Sequence, residues 1–255
     1  MWEIPEDQII SYTDACKNFV ENDDAFNNFK QDYHFKGILE HTNNDGALYY
    51  IQKISESVLK DKNLISKIKE NDLYGNPEIL SYEFFGKCSP STIRYTKCLS
   101  DLISYFPELK LENVCEIGGG YGGLAKIVSC YYDFNSYTIF DLKEVNLLSG
   151  KYLNLFPELH GRVFHVDTNK IQDVKDVDLL ISNYALSELS IDKQKEYYNK
   201  VIKNSKHIYI TYNNPMDEFL EIVSKDFKID IDYEPKTFGN VQNVGNNAII
   251  CGTKI

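Results

Sequence analysis

Near the middle of the chain an apolar stretch, Val114-Cys115-Glu116-Ile117, runs straight into Gly118-Gly119-Gly120-Tyr121-Gly122-Gly123 and continues as Leu124-Ala125. A strand that ends in glycines and reopens as a helix constrains the fold more than any other feature here. Glycine takes up positive φ without steric cost, and its missing Cβ lets a ligand lie against bare backbone where a helix start offers unpaired N–H groups. The segment therefore predicts a strand-turn-helix unit holding a small ligand at the carboxyl edge of a sheet.

Two spacings fit these glycines. Gly118, Gly120 and Gly123 match the dinucleotide fingerprint G-x-G-x-x-G, whereas Glu116, Gly118, Gly120 and Gly122 match the E-x-G-x-G-x-G loop of class I methyltransferases. Glu116, at the strand end, leans the reading toward the second. A carboxylate there suits a cationic, sulfonium-bearing ligand and repels a pyrophosphate. Asp141, ending Tyr137-Thr138-Ile139-Phe140-Asp141, is placed to accept from ribose hydroxyls under either reading. An NAD-linked oxidoreductase stays open as an alternative, although its fingerprint usually lies close to the start of the chain.

Downstream of Phe106-Pro107, β-rich runs alternate with helical ones: Asn113 to Ile117, Ser136 to Phe140, Arg162 to Val166, Val177 to Ser182, His207 to Tyr212, Phe227 to Tyr233 and Asn247 to Gly252. This alternation predicts a mostly parallel sheet covered on both faces. The last two runs are joined by a short Pro-, Gly- and Asn-rich stretch, which suits an antiparallel hairpin. Upstream, apolar residues recur at helical spacing (Ile9, Tyr12, Ala15, Phe19; Tyr49, Ile51, Ile54, Val58), so that half reads as all-helical. Gly75-Asn76-Pro77 marks a turn, and Ser89-Pro90-Ser91 caps a helix reaching about Tyr105. The division expected is a helical extension over 1–107 and a Rossmann-like, ligand-binding domain over 108–255.

Composition narrows the partners. A net charge of -11 and pI near 5.0 disfavour nucleic acid, whose affinity comes from clustered Lys and Arg. The N-terminus, Met1-Trp2-Glu3-Ile4-Pro5, does not read as a secretory signal, and no apolar run reaches membrane-spanning length, so cytoplasm is the expected location. Six cysteines without any C-x-x-C pair suggest reduced thiols, with neither disulfides nor a zinc site. No metal is expected: Asp167, Glu188 and Asp192 are the only obvious carboxylate set, and spacing does not bring them together. The apolar stripes of the N-terminal helices suit a homodimer or, equally, a cover for the sheet.

Beyond the glycine loop, the chain resembles the sugar O-methyltransferases of bacterial surface-polysaccharide gene clusters. The matching pieces are Gly37-Ile38-Leu39-Glu40-His41, Gly75-Asn76-Pro77, Ser91-Thr92-Ile93-Arg94-Tyr95, the glycine loop, Ile139-Phe140-Asp141-Leu142, and Ile181-Ser182-Asn183-Tyr184-Ala185-Leu186-Ser187-Glu188-Leu189. This resemblance implies a seven-stranded mixed sheet of order 3-2-1-4-5-7-6, S-adenosylmethionine as cofactor with S-adenosylhomocysteine as product, and a sugar or sugar-nucleotide acceptor. A phosphate, phosphoramidate or other small precursor of a capsule decoration fits the same motifs.

These readings assign roles along the chain. Glu116, Gly118, Gly119, Gly120, Tyr121, Asp141 and Leu142 would hold the cofactor, with Asp167 and Thr168 near the adenine. Arg94, on the helix preceding the loop, would pair with the cofactor carboxylate or an acceptor phosphate. Asn183 and Tyr184 would face the transferred methyl group and the acceptor, with Tyr95, Asn213 and Asn214 as further acceptor contacts. A sugar hydroxyl needs a base, for which Glu188 is the first choice and His41, delivered by the extension, the rival.

Overall fold

The computed structural model describes residues 6–39, 42–213, 217–235 and 246–255. Seven strands form its main sheet: β1 (Asn113–Ile117), β2 (Ser136–Asp141), β3 (Val163–Asp167), β4 (Val177–Asn183), β5 (Ser205–Tyr212), β6 (Phe227–Pro235) and β7 (Asn246–Lys254). Their spatial order is 3-2-1-4-5-7-6. The first five strands are parallel, while β7 pairs antiparallel with both β5 and β6, as the short final connection predicted.

Alternation along each strand sends side chains to two separate cores. Val114, Ile139, Leu179, Ile181 and Tyr209 face one side, covered by the helices Pro90–Tyr105, Gly123–Ser129 and Lys143–Leu153. Ile117, Phe140, Leu180, Ile208 and Ile250 face the other, under the helices Ile191–Lys200 and Asp217–Val223. Each fully buried aliphatic side chain contributes about 1.5–3 kcal/mol of burial. The first core continues without a break into the extension through Tyr12, Cys16, Phe19, Phe29 and Phe35. Of the two apolar stripes, Tyr12, Phe19, Ile54 and Val58 are buried within the chain.

The Pro90–Tyr105 helix is buried on nearly every side of its first three turns, so its polar residues need partners. Ser89 Oγ caps it by accepting from Thr92 N–H, and Asp72 accepts from Ser89 N–H, Ser89 Oγ and Thr92 Oγ1 at 2.7 Å each. Further along, Lys97 pairs with Asp101, which also accepts from Tyr209 OH.

The extension departs from the all-helical expectation at one place. Leu80–Tyr82 and Gly86–Cys88 form an antiparallel hairpin around Glu83-Phe84-Phe85, with positive φ at Phe84 (55°) and Gly86 (64°). Strands of three residues are too short to show a period of two, and what holds this pair is the burial of Tyr82, Phe85 and Cys88 in the shared core.

Candidate active site at the carboxyl edge of the sheet

At the end of β1 the backbone turns through Gly118 (φ 76°), Gly120 (φ 55°) and Gly122 (φ 88°), while Gly123 already opens the next helix. The glycines that need left-handed backbone are therefore those of the G-x-G-x-G spacing. A Cβ on Gly118 would run into Ala185, just past β4, and one on Gly120 would come within 2.7 Å of Leu39 in the extension. The loop is held between sheet edge and extension.

Asp141, at the end of β2, anchors this turn. Its Oδ2 accepts from Gly120 N–H and its Oδ1 from Leu142 N–H, both at 2.8 Å, which leaves further lone pairs on each oxygen. Burial lifts its pKa to about 6 against the pull of these two N–H groups. Beside it, Asn146 ties the ends of β2 and β3 together by donating to the carbonyls of Asp141 and Val166. Asp167 closes a local turn by accepting from Asn169 N–H, and Thr168 N–H donates to the Asp141 carbonyl, so β3 ends alongside β2 as the sequence reading required.

Three assigned side chains stand elsewhere than their roles demanded. Glu116 is 2% exposed, lies beneath Gly119 and accepts a hydrogen bond from Tyr137 OH at 2.8 Å. Burial pushes its carboxyl up to about 8, so the negative charge that argued for a sulfonium is suppressed near neutrality. Tyr121 is fully buried, its ring lying against Gly123 and inside a cage of Phe29, Phe35, Tyr95 and Tyr152, with the Lys30 ammonium over its ring. Tyr95 is buried in the same cage and packs against Gly123, which leaves it no acceptor to touch. Asn71 of the extension fastens this cage by donating to Tyr121 OH and Thr92 Oγ1 and accepting from Tyr152 OH. His41 and Asn214 lie outside the described residues.

After β4 the chain makes a tight 3-10 turn, Ala185–Glu188, entered through Tyr184 at φ 65°. Positive φ at a bulky residue is strained and persists only where surroundings hold it. Here Tyr184 OH donates to Glu234 of β6, and Arg94 stacks on the ring at 4.9 Å. Burial and the neighbouring Glu234 keep the Tyr184 phenol protonated. Asn183 Oδ1 accepts from Thr211 Oγ1 at 3.0 Å, and Asn213 Nδ2 donates to Ser187 Oγ at 3.1 Å. Glu188 is half-buried, makes no hydrogen bond or ion pair among the described residues, and is raised to about 7 by burial. Glu234 and Asn247 escaped sequence reading. They join Tyr184 from the last hairpin, some 50 and 60 residues away along the chain, with no local motif to mark them.

The fold that carries this site has counterparts among solved structures. The chain is similar to magnesium protoporphyrin IX methyltransferase from Synechocystis PCC 6803 with bound SAM, at TM-score 0.50 and 10% identity over 84% of this chain and 98% of that one. The fold is that of the class I methyltransferases. The same enzyme with bound SAH also matches at TM-score 0.50 and 10% identity, over 64% of this chain and 82% of that one. Precorrin-6y C5,15-methyltransferase from Geobacter metallireducens follows at TM-score 0.46 and 14% identity, over 62% and 89%. No family model and no curated protein sequence matches. Identities this low bear on the methyltransferase fold alone and leave the acceptor to the site itself.

Proposed function

We propose that this chain is an S-adenosylmethionine-dependent O-methyltransferase acting on a sugar or sugar-linked precursor of a surface polysaccharide. The observation that carries the cofactor reading is Asp141, pinned by Gly120 and Leu142 N–H beside a turn whose bare backbone fits a nucleoside and its tail. Within this reading residues 108–255 hold the cofactor and 1–107 close over it. The cytoplasm, where sugar nucleotides are made, is the setting that goes with it.

Support for a sugar acceptor comes from three sides: the amide and hydroxyl groups of Asn183, Ser187 and Asn213 at the methyl-transfer edge, the acidic pI that disfavours nucleic acid, and the resemblance carried by Ser182 to Leu189. Bound cofactor would supply an electrophilic methyl on a sulfonium. The residues of this chain do the rest. Asn183, Tyr184 and Asn213 orient the acceptor in a site that the extension shields from water. Glu188 takes the hydroxyl proton as the new C–O bond forms, and a carboxylate with pKa near 7 is matched to that task at neutral pH.

Calorimetric titration tests the cofactor reading. Wild-type protein is expected to bind S-adenosylmethionine and S-adenosylhomocysteine at micromolar concentration and NAD not at all. Asp141→Ala should weaken the two sulfur ligands by about 10–100-fold, the loss expected for hydrogen bonds to a charged group. Binding of NAD alone would overturn the proposal.

The base is tested with labelled methyl donor and a panel of sugar nucleotides. Glu188 works only when deprotonated, so wild-type turnover should rise as pH passes through about 7. Glu188→Gln should lower kcat by about 10²–10⁴ and flatten that rise. An unchanged pH profile in the variant would remove Glu188 from the role.

A further inference from the structure

A buried carboxylate needs a partner, because desolvation penalises its charge. Glu234 of β6 is 4% exposed and forms no ion pair among the described residues; the hydrogen bond it accepts comes from Tyr184 OH. Asn247, its register partner on β7, is also buried and bonds the same phenol. Its Oδ1 has no partner, so the amide Nδ2 makes that bond. A carboxylate and an amide of the last hairpin thus converge on one hydroxyl. The guanidinium of Arg94 lies over the ring of that tyrosine, 4.9 Å from its centre, and completes the clamp.

What the clamp holds is a strained backbone. Tyr184 keeps φ at 65°, in the left-handed region that a residue with a Cβ disfavours. The residues around it are tied to the glycine turn in two ways. A Cβ on Gly118 would stand 2.1 Å from Ala185 Cβ, so the Ala185 methyl packs directly on the Gly118 backbone. Leu186 N–H donates to Ser182 Oγ at 3.2 Å, and Ser182 Oγ donates at 3.1 Å to the carbonyl of Ile117, one residue before Gly118. Relaxation of Tyr184 toward negative φ would swing Ala185 and Leu186 off both contacts. The element with two arrangements is therefore the Tyr184 backbone, and it stands between the last hairpin and the turn that Asp141 pins through Gly120 N–H.

We infer that Glu234 is a positioning residue for the cofactor: acting through Tyr184, it holds the turn after β4 against Gly118, so that the glycine turn keeps its binding shape only while the last hairpin grips this tyrosine. The inference rests on the cofactor reading above. Glu234 does its work without touching the ligand. Such coupling is reciprocal, and a ligand that sets the glycine turn also tightens the hairpin's grip on Tyr184.

Calorimetry with S-adenosylhomocysteine, paired with urea unfolding, tests this. Tyr184→Phe removes the hydroxyl and should weaken binding about tenfold, the factor that matches the left-handed cost of one residue. Glu234→Leu should do the same, and the double variant should lose no more than either single one. Glu234→Gln still accepts from the phenol and should bind within about threefold of wild type. The control is Tyr198→Phe, which breaks another tyrosine–carboxylate bond, to Asp226 at the opposite end of β6. It should lower stability and leave S-adenosylhomocysteine affinity as it was. Wild-type affinity in a folded Tyr184→Phe overturns the inference, whether or not Glu234→Leu folds. Losses that add in the double variant overturn it as well, since they make the two residues independent contacts. An equal loss of affinity in Tyr198→Phe also overturns it, by tracing the effect to general destabilisation. Binding of S-adenosylhomocysteine to wild-type protein upholds the cofactor reading whatever the variants show, and its absence overturns both.

Discussion

Replacing Glu116 by Gln should stabilise this protein at alkaline pH and leave it unchanged at pH below 4. Folded, the carboxyl holds its proton up to about 8 because burial opposes its charge; unfolded, it releases the proton near its ordinary value of 4.5. A group that binds its proton more tightly in the folded state contributes most at low pH, and that contribution drains away as pH climbs from about 4.5 through about 8. At about 1.4 kcal/mol per pH unit, the wild type loses at most about 5 kcal/mol across this window. Glutamine still accepts from Tyr137 OH and carries no proton to lose, so the variant avoids the penalty. Urea unfolding of both proteins at pH 4, 6, 8 and 9 measures the gap directly. Parallel stability curves would mean that Glu116 ionises freely in the fold. Because its charge is suppressed, Glu116→Gln should also bind S-adenosylhomocysteine within a few-fold of wild type.

The second large effect separates backbone strain from packing. Gly118 and Gly161 share nearly the same left-handed backbone, φ 76° and 73°, but a Cβ at Gly118 runs into Ala185 whereas one at Gly161 meets nothing within 4 Å. Gly161→Ala should therefore cost about 1–2 kcal/mol, the price of the αL conformation for a residue with a Cβ. Gly118→Ala adds a core overlap worth about 1–3 kcal/mol. It also pushes the Ala185–Glu188 turn away from the loop, so cofactor affinity should fall with stability in this variant alone. Matched denaturation curves and S-adenosylhomocysteine titrations check both. Equal losses at the two glycines would show that the loop does not press on the turn after β4.

Where the relevant physics is local, the sequence could be read directly. The seven strands, the Ser89 cap and the glycine turn all follow from patterns within a few residues, and each stands where its pattern put it. Asp141 belongs to the same group: a carboxylate at a strand end beside a glycine turn has donors within reach on the neighbouring strand's loop, whatever the rest of the chain does.

Tertiary structure decided what depends on burial and on partners distant in sequence. Whether Glu116 carries a charge is set by desolvation under Gly119 and by Tyr137, and the residue type alone cannot show this. Tyr121 sits in the glycine motif but is drawn into the extension by Phe29, Phe35 and Asn71, because an aromatic ring buries more area in that cage than against a loop. The meeting of Arg94, Tyr184 and Glu234 joins a helix before the sheet, the end of β4 and the last hairpin. Local propensity carries no information about such a meeting. Only the closing of two cores on one sheet brings these three side chains to the same edge.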